Sequence, residues 1–111
     1  MFKDTKAFSG FSVNDLAAAR KFYGETLGID VEDNGPRLML RVAGGNGILV
    51  YPKDDHVPAT YTILNFPVHD IEKAIEELAG KGITFDRYDK DHEIAWFKDP
   101  AGNILSVVHE D

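Results

Sequence analysis

The sequence predicts an α+β fold in which a βαβββ module occurs twice. The first observation is an internal repeat, since residues 8–31 and 63–85 each run from an alternating strand to an Asp, a helical segment, a Gly and another strand. The second is a closing hairpin, in which Asp99-Pro100-Ala101-Gly102-Asn103 contains the residue types of a tight turn. Because β-Asp-α-Gly-β also occurs by coincidence in α/β proteins, the repeat alone leaves the fold open.

The first module begins with an alternating strand at residues 7–13. Asp15 is suited to cap a helix that continues to about Leu27 and ends at Gly28. The pattern places Tyr23 of this helix against the sheet, with its hydroxyl at the rim. Strands are predicted next at residues 29–32, 37–42 and 48–51, separated by Gly-rich turns.

The second module repeats this order after a segment unsuited to the interior of a sheet. Residues 52–60 contain two prolines and several charges, which predicts a linker. A strand follows at residues 62–68, where Pro67 favours an edge position or a locally unpaired end, and then a helix at residues 70–80. The remaining strands are predicted at residues 83–88, 93–97 and 104–109. We therefore expect one domain, residues 1–111, with module one at about 6–51, a linker at 52–60 and module two at 61–110.

Composition limits the classes of partner. A net charge of −7 argues against nucleic-acid binding, which depends on clustered Lys and Arg, and would mildly favour cationic ligands if it reflected more than solubility. The chain contains no Cys, and it shows neither a signal-peptide core nor an apolar run long enough to cross a membrane. We expect a cytoplasmic protein without membrane contact.

The order and spacing of these motifs resemble the vicinal oxygen chelate superfamily, which includes glyoxalase I, extradiol dioxygenases and bleomycin resistance proteins. The similarity spans essentially the whole chain and rests on Val13-Asn14-Asp15-Leu16, Phe22-Tyr23, Leu27-Gly28, Val68-His69-Asp70-Ile71 and the closing hairpin. It implies a U-shaped, curved mixed sheet with the helices outside and a ligand pocket inside. By analogy with metal-free members it also implies a homodimer, in which the modules close within one chain or swap between two.

The resemblance also assigns the positions that hold a divalent metal in metal-dependent members. They fall on Phe8, Ile63 and Ser106, and on Val50 give or take one residue. Phe, Ile and Val have no lone pair to donate, and a neutral Ser is a poor ligand. The His residues at positions 56, 69, 92 and 109 match no metal-binding spacing and are interpreted as surface or capping residues. We therefore expect no metal and no cofactor.

Strand alternation divides the side chains between the two faces of the predicted sheet. The helix-facing set is Phe11, Val13, Leu38, Leu40, Val42, Leu49, Leu64, Phe66, Val68, Ile83, Phe85, Phe97, Leu105 and Val107. The concave, pocket-facing set is Phe8, Gly10, Ser12, Arg37, Met39, Arg41, Val50, Ile63, Asn65, Trp96, Ile104, Ser106 and Val108. From the second set, the ligand-binding candidates are Phe8, Ser12, Met39, Arg41, Asn65, Trp96 and Ser106.

Each candidate also has a structural interpretation. Trp96 is suited either to stacking on a flat ligand or to packing. Arg41 is suited to a ligand carboxylate or to a surface ion pair. Asn65 and Ser106 are equally suited to a polar ligand group or to pairing within the sheet. The pocket itself could be filled by its own side chains or by a dimer partner.

Three functions are compatible with this sequence. The first is a metal-free protein that binds an aromatic or amphipathic small molecule, as the antibiotic-sequestering members do. The second is a glyoxalase-like lyase or isomerase, or a dioxygenase-related enzyme, which the residues at the expected metal positions argue against. The third is a dimeric structural or regulatory module. We favour the first and expect no catalytic residues, since the sequence offers no nucleophile–base pair and no paired catalytic carboxylates.

Overall fold

A computed structural model describes residues 1–110 and confirms the α+β class with two βαβββ modules. The strands are β1 (Ser9–Val13), β2 (Asp30–Asn34), β3 (Arg37–Arg41), β4 (Ile48–Pro52), β5 (Thr62–Val68), β6 (Arg87–Asp89), β7 (Ile94–Lys98) and β8 (Ile104–His109). The helices are α1 (Leu16–Lys21), which continues into a π-helical turn at Phe22–Thr26, and α2 (Ile71–Gly80). Among these residues no helix has the length and apolar character needed to span a membrane.

Each module forms its own four-stranded mixed sheet. The strand order is β1-β4-β3-β2 in the first module and β5-β8-β7-β6 in the second. In both, the first and last strands of the module pair in parallel, and the other neighbours are antiparallel. The chain divides into two compact units after His56. Pro67 lies on β5, the edge strand of its sheet, as predicted. Proline has no N–H group, and on an edge strand this need not remove a hydrogen bond to the neighbouring strand.

Both α-helices begin in the same way. The side chain of Asp15 accepts a hydrogen bond of 3.1 Å from the backbone N–H of Ala18, and Asp70 accepts one of 3.1 Å from Lys73. Each Asp has an extended backbone and is the N-cap residue of its helix. The caps satisfy N–H groups that have no partner within the helix. The predicted cap at Asp15 is confirmed, and Asp70 caps the second helix with the same type of hydrogen bond.

The first helix differs from the prediction in its second half. Regular α-helix ends at Lys21, and the following π-helical turn closes with a 2.9 Å bond from the N–H of Leu27 to the carbonyl of Phe22. Tyr23 is completely buried, so the prediction that its hydroxyl lies at the rim is wrong. Its ring packs 5.6 Å from that of Phe11 on β1, which ties the turn to the sheet.

The strand register corrects the prediction of which β4 side chains face the core. Val50 pairs with Phe11 on β1 and with Leu38 on β3, and it is completely buried. Leu49 pairs with Gly10 and Met39 and therefore lies on the opposite face. Since paired residues point to the same side of a sheet, Val50 belongs to the core and Leu49 does not. The prediction had these two residues reversed.

Strand β6 is shorter than predicted. Residues 83–88 were expected to form a strand, but regular pairing covers only Arg87–Asp89. The N–H of Ile83 instead donates 3.1 Å to the carbonyl of Leu78 at the end of α2. The start of the predicted strand is therefore part of the helix C-terminal turn, where Gly82 has a φ of +92°.

The closing hairpin has the predicted turn, built around a buried carboxylate. Asp99 Oδ1 accepts 2.9 Å bonds from the backbone N–H groups of Ala101 and Asn103. Asp99 Oδ2 accepts a 3.0 Å bond from the Asn103 side-chain amide. Asp99 and Asn103 are both buried. These bonds fix the turn between β7 and β8, the strands that present Trp96 and Ser106.

Candidate functional site

Three of the predicted ligand-binding residues lie together on one face of the second sheet. Ser106 on β8 pairs with Asn65 on β5 and with Trp96 on β7, and Trp96 pairs with Arg87 on β6. We call this side of the sheet the Trp96 face. The opposite side carries the buried core residues Phe97, Leu105 and Val107.

Ser106 and Asn65 pair with each other within the sheet. The Ser106 hydroxyl donates a 2.6 Å hydrogen bond to Asn65 Oδ1, and Ser106 is completely buried. Asn65 is exposed, and its NH₂ group takes no part in this bond. Of the two, Asn65 is therefore the residue that can present hydrogen-bond donors at the surface.

A cavity of about 280 Å³ lies beside the indole ring of Trp96. Its walls combine aromatic, aliphatic, hydroxyl and charged side chains: Thr60, Tyr61, Thr62, Asp86, Arg87, Trp96, Lys98 and Ile104. We call it the Trp96 cavity. This mixture of apolar surface with a few polar groups resembles small-molecule sites, although the cavity is wide open to solvent and its volume lies just below their usual range.

The Trp96 ring is held at its edge and on one face. The indole Nε1–H donates a 3.0 Å hydrogen bond to the hydroxyl of Thr62. The guanidinium carbon of Arg87 lies 4.9 Å from the ring centroid, within cation–π distance. The register of β5 shifts between Thr62 and Leu64, and this irregularity follows directly on the residue that binds the indole. The ring remains half-buried.

The candidates of the first module are dispersed and do not line the Trp96 cavity. The Ser12 hydroxyl and His56 Nδ1 are 2.6 Å apart in a partly buried hydrogen bond. Met39 is half-buried beneath Gly47, where an added Cβ would lie 2.8 Å from the Met39 sulfur. Phe8 precedes β1 and is 60% exposed, so no neighbouring wall encloses its ring.

Arg41 forms a surface ion pair with Glu32, which is one of the two roles that the sequence suggested for it. Its Nε–H donates 2.7 Å to Glu32 Oε2, and its Nη2 donates 3.3 Å to Oε1. This hydrogen bond and the charge of the guanidinium lower the pKa of the Glu32 carboxyl. A guanidinium already bound by both oxygens of a carboxylate is poorly placed to bind another one.

The positions that the resemblance assigns to a metal do not supply a suitable donor set. Val50 is in the core, Ile63 lies in the register shift of β5, and Phe8 is a hydrocarbon side chain. Ser106 offers a buried neutral hydroxyl that already donates to Asn65. Moving the β4 position to Leu49 or Tyr51 adds no carboxylate or imidazole. Within residues 1–110, no group of three or more His, Cys, Asp or Glu is arranged to hold a metal ion.

A second, polar cavity of about 340 Å³ lies at the start of α2. It is lined by His69, Asp70, Ile71, Glu72, Tyr88, Glu93 and His109. Burial raises the pKa of the Tyr88 phenol, and the carboxylates of Glu72, Glu93 and Asp70 raise it further. His69 Nε2 lies 4.0 Å from the carboxylate of Glu110. These contacts agree with the interpretation of His69 as a surface residue.

The sequence analysis missed three residues that shape these sites: Thr62, Arg87 and His56. Thr62 contacts Trp96 from β5, a strand distant in the chain, and Arg87 contacts it from β6, the strand that directly precedes β7. Alternation through residues 83–88 was misleading for Arg87, because it groups this residue with Ile83 and Phe85 on the helix side, whereas the strand pairing places it on the Trp96 face. His56 lies in the predicted linker, and nothing in its local sequence indicates contact with Ser12.

Comparison with known proteins decides the family. The family model for the "Glyoxalase/Bleomycin resistance protein/Dioxygenase superfamily" matches residues 9–107. The chain belongs to this superfamily. No curated protein matches it at a significant level. The homodimer, the cytoplasmic location and the single-domain boundaries inferred from the sequence remain predictions.

Solved structures of this glyoxalase-superfamily fold cover nearly all of the chain. TnmS3, an antibiotic-binding protein from Streptomyces sp. CB03234, superposes with a TM-score of 0.79 at 21% identity over 100% of this chain and 99% of its own. A superfamily member from Sphaerobacter thermophilus DSM 20745 gives 0.77 at 23% identity, over 99% and 100%. Lactoylglutathione lyase from Agrobacterium tumefaciens gives 0.75 at 18% identity, over 96% of each chain. At these identities the similarity establishes the fold.

Proposed function

We propose that this glyoxalase-superfamily chain is a metal-free small-molecule-binding protein that holds an aromatic or amphipathic ligand in the Trp96 cavity. The observation that carries the proposal is the fixed, half-buried indole of Trp96 beside a cavity of about 280 Å³. An indole with its N–H already bonded presents apolar aromatic surface without an unpaired polar group. Such a surface favours flat or amphipathic ligands over strongly hydrated ones.

The residues at the metal positions support binding over catalysis. Reactions that depend on a divalent ion need carboxylate or imidazole ligands, and this chain has Phe8, Val50, Ile63 and Ser106 at the corresponding positions. TnmS3, which has the same fold, is described as an antibiotic-binding protein. That similarity is consistent with ligand binding and does not identify the ligand of this chain.

A thermal-shift screen of planar aromatic and amphipathic compounds tests the proposal. A ligand that binds only the native state raises the melting temperature by mass action. We expect hits that persist after treatment of the protein with EDTA. Trp96→Leu should abolish them, while Tyr51→Ala, which removes an exposed aromatic residue of the first module, should leave them unchanged. Hits that need an added divalent metal, or that bind Trp96→Leu equally well, would refute the proposal.

A further inference from the structure

We infer that the ligand of the Trp96 cavity carries an anionic group, which Arg87 and Lys98 bind beside the indole. This inference rests on the proposed function and adds the charge of the ligand to it. The net charge of −7 would favour cationic ligands, so the inference runs against the overall composition. It depends instead on which charged residues line this one cavity.

The cavity wall carries more positive than negative charge. Arg87 and Lys98 line it together with a single acidic residue, Asp86. Lys98 lies two residues after Trp96 on β7, and Arg87 on β6 pairs directly with Trp96, so all three side chains extend from the Trp96 face. Both cationic residues are exposed and able to reach a ligand.

The cation–π contact with Trp96 places the Arg87 guanidinium where it can bind an anion beside the indole. With its guanidinium carbon 4.9 Å from the ring centroid, Arg87 is held near the indole before any ligand arrives. A guanidinium carries its N–H groups around its edge, where a carboxylate can accept two parallel hydrogen bonds. A ligand with an aromatic plane and a carboxylate would therefore use the indole and the guanidinium together.

Asp89, the acidic residue paired with Arg87, does not form a close hydrogen bond with the guanidinium. Asp89 Oδ2 is 3.7 Å from Arg87 Nη2, which is longer than a hydrogen bond. The same Asp89 oxygen lies 2.8 Å from His92 Nδ1, so its short contact is with the histidine. Within residues 1–110, Lys98 forms no ion pair with an acidic side chain. The contrast with Arg41, which is bound by both oxygens of Glu32, makes the second module the favoured place for an anion.

A matched ligand series tests the inference, with 2-naphthoate, 2-naphthamide and 2-naphthylmethylammonium as anionic, neutral and cationic forms of one ring system. Binding is measured by isothermal titration calorimetry and by the shift of the indole N–H resonance of Trp96, the only Trp in the chain. We expect the anion to bind at least tenfold more tightly than the amide, and the cation to bind most weakly. Raising the salt concentration should reduce the advantage of the anion.

Substitutions of single residues identify which side chains cause the preference for the anionic ligand. Arg87→Gln and Lys98→Gln should each reduce naphthoate affinity several-fold more than naphthamide affinity, since the amide has no charge to lose. Lys73→Gln removes one positive charge from the exposed side of α2 and should change neither. If all three ligands bind equally through Trp96, or the cation binds best, the inference is wrong and the proposed function stands. If none of the three ligands binds, the proposed function and the inference of an anionic ligand are both contradicted for flat aromatic ligands.

Discussion

The indole Nε1–H of Trp96 on β7 donates a 3.0 Å hydrogen bond to the hydroxyl of Thr62 on β5, a residue 34 positions earlier in the chain. The bond passes over β8, which lies between these strands in the sheet. It sets the position of the ring, and Arg87 lies over one face of that ring from the strand on the other side. The wall of the Trp96 cavity is thus held by residues of three different strands.

Thr62→Val should weaken both stability and ligand binding. The variant keeps the shape of the side chain but leaves the indole N–H unpaired, which costs about 1 kcal/mol of unfolding free energy. A ring that moves more freely must also be immobilised on binding, so affinity should fall several-fold. Urea unfolding and calorimetry with the screening hits measure the two effects.

Thr60→Val is the matched control for that variant. Thr60 lines the same cavity, but the bond to the indole comes from Thr62. The control should lose little stability or affinity. Equal losses in both variants would show that the Trp96–Thr62 bond has no special role.

The corrected face of β4 can be tested by comparing Val50→Ala with Leu49→Ala. Val50 is completely buried against Phe11 and Leu38, so the smaller side chain should cost about 2 kcal/mol. Leu49 is half-buried on the other face, so its variant should cost less although it removes more carbon atoms. A larger loss for Leu49→Ala in urea unfolding would contradict the register.

Features governed by local chemistry were predictable from the sequence, whereas the face of β4 was not. Asp15 and the turn from Asp99 to Asn103 were identified because a capping or turn residue acts on backbone groups a few positions away. Strand β4 reads Ile-Leu-Val-Tyr, a continuous apolar run without alternation. Its orientation depends on pairing with β1 and β3, which period-two reasoning does not reveal.

Asp99→Ala should be among the most destabilising single changes. It removes a buried carboxylate that accepts from two backbone N–H groups and from the Asn103 amide, leaving those donors unsatisfied. The expected loss is about 3 kcal/mol, because each unpaired buried donor carries a desolvation penalty. Asp91→Ala, at an exposed position in the turn before β7, is the control and should cost little. Similar midpoints in urea for the two variants would contradict this view of the hairpin.

The contact between Asp89 and His92 predicts a pH effect. The hydrogen bonds from the His92 side chain and backbone N–H lower the pKa of Asp89 below its ordinary value of 3.8. A carboxyl whose pKa is lower in the folded state adds stability above its unfolded pKa and loses it as the pH falls through the folded pKa. His92→Ala should therefore raise the pKa of Asp89 in a carboxyl NMR titration, and the exposed control His69→Ala should not. An unchanged pKa of Asp89 in His92→Ala would contradict the conclusion that His92 lowers it.

The candidate site was predictable as a set of residues on one face, but not as a cavity. Alternation placed Asn65, Trp96 and Ser106 on the same side of the second sheet, and the register agrees. Which of them is accessible depends on side-chain packing: Ser106 is buried and donates to Asn65, and Trp96 is half-buried beside Arg87. Thr62, which accepts the indole hydrogen bond, comes from a distant position in the chain, and alternation placed Arg87 on the opposite face, so neither partner of Trp96 was predicted.

The most direct measurement follows backbone and indole N–H resonances while a ligand from the screen is added to protein kept in EDTA. We expect saturable shifts at the Trp96 indole and at Thr62, Arg87 and Ile104, with the same affinity before and after a divalent metal is supplied. Binding that appears only when the metal is present, or shifts that leave the Trp96 indole unchanged, would contradict it.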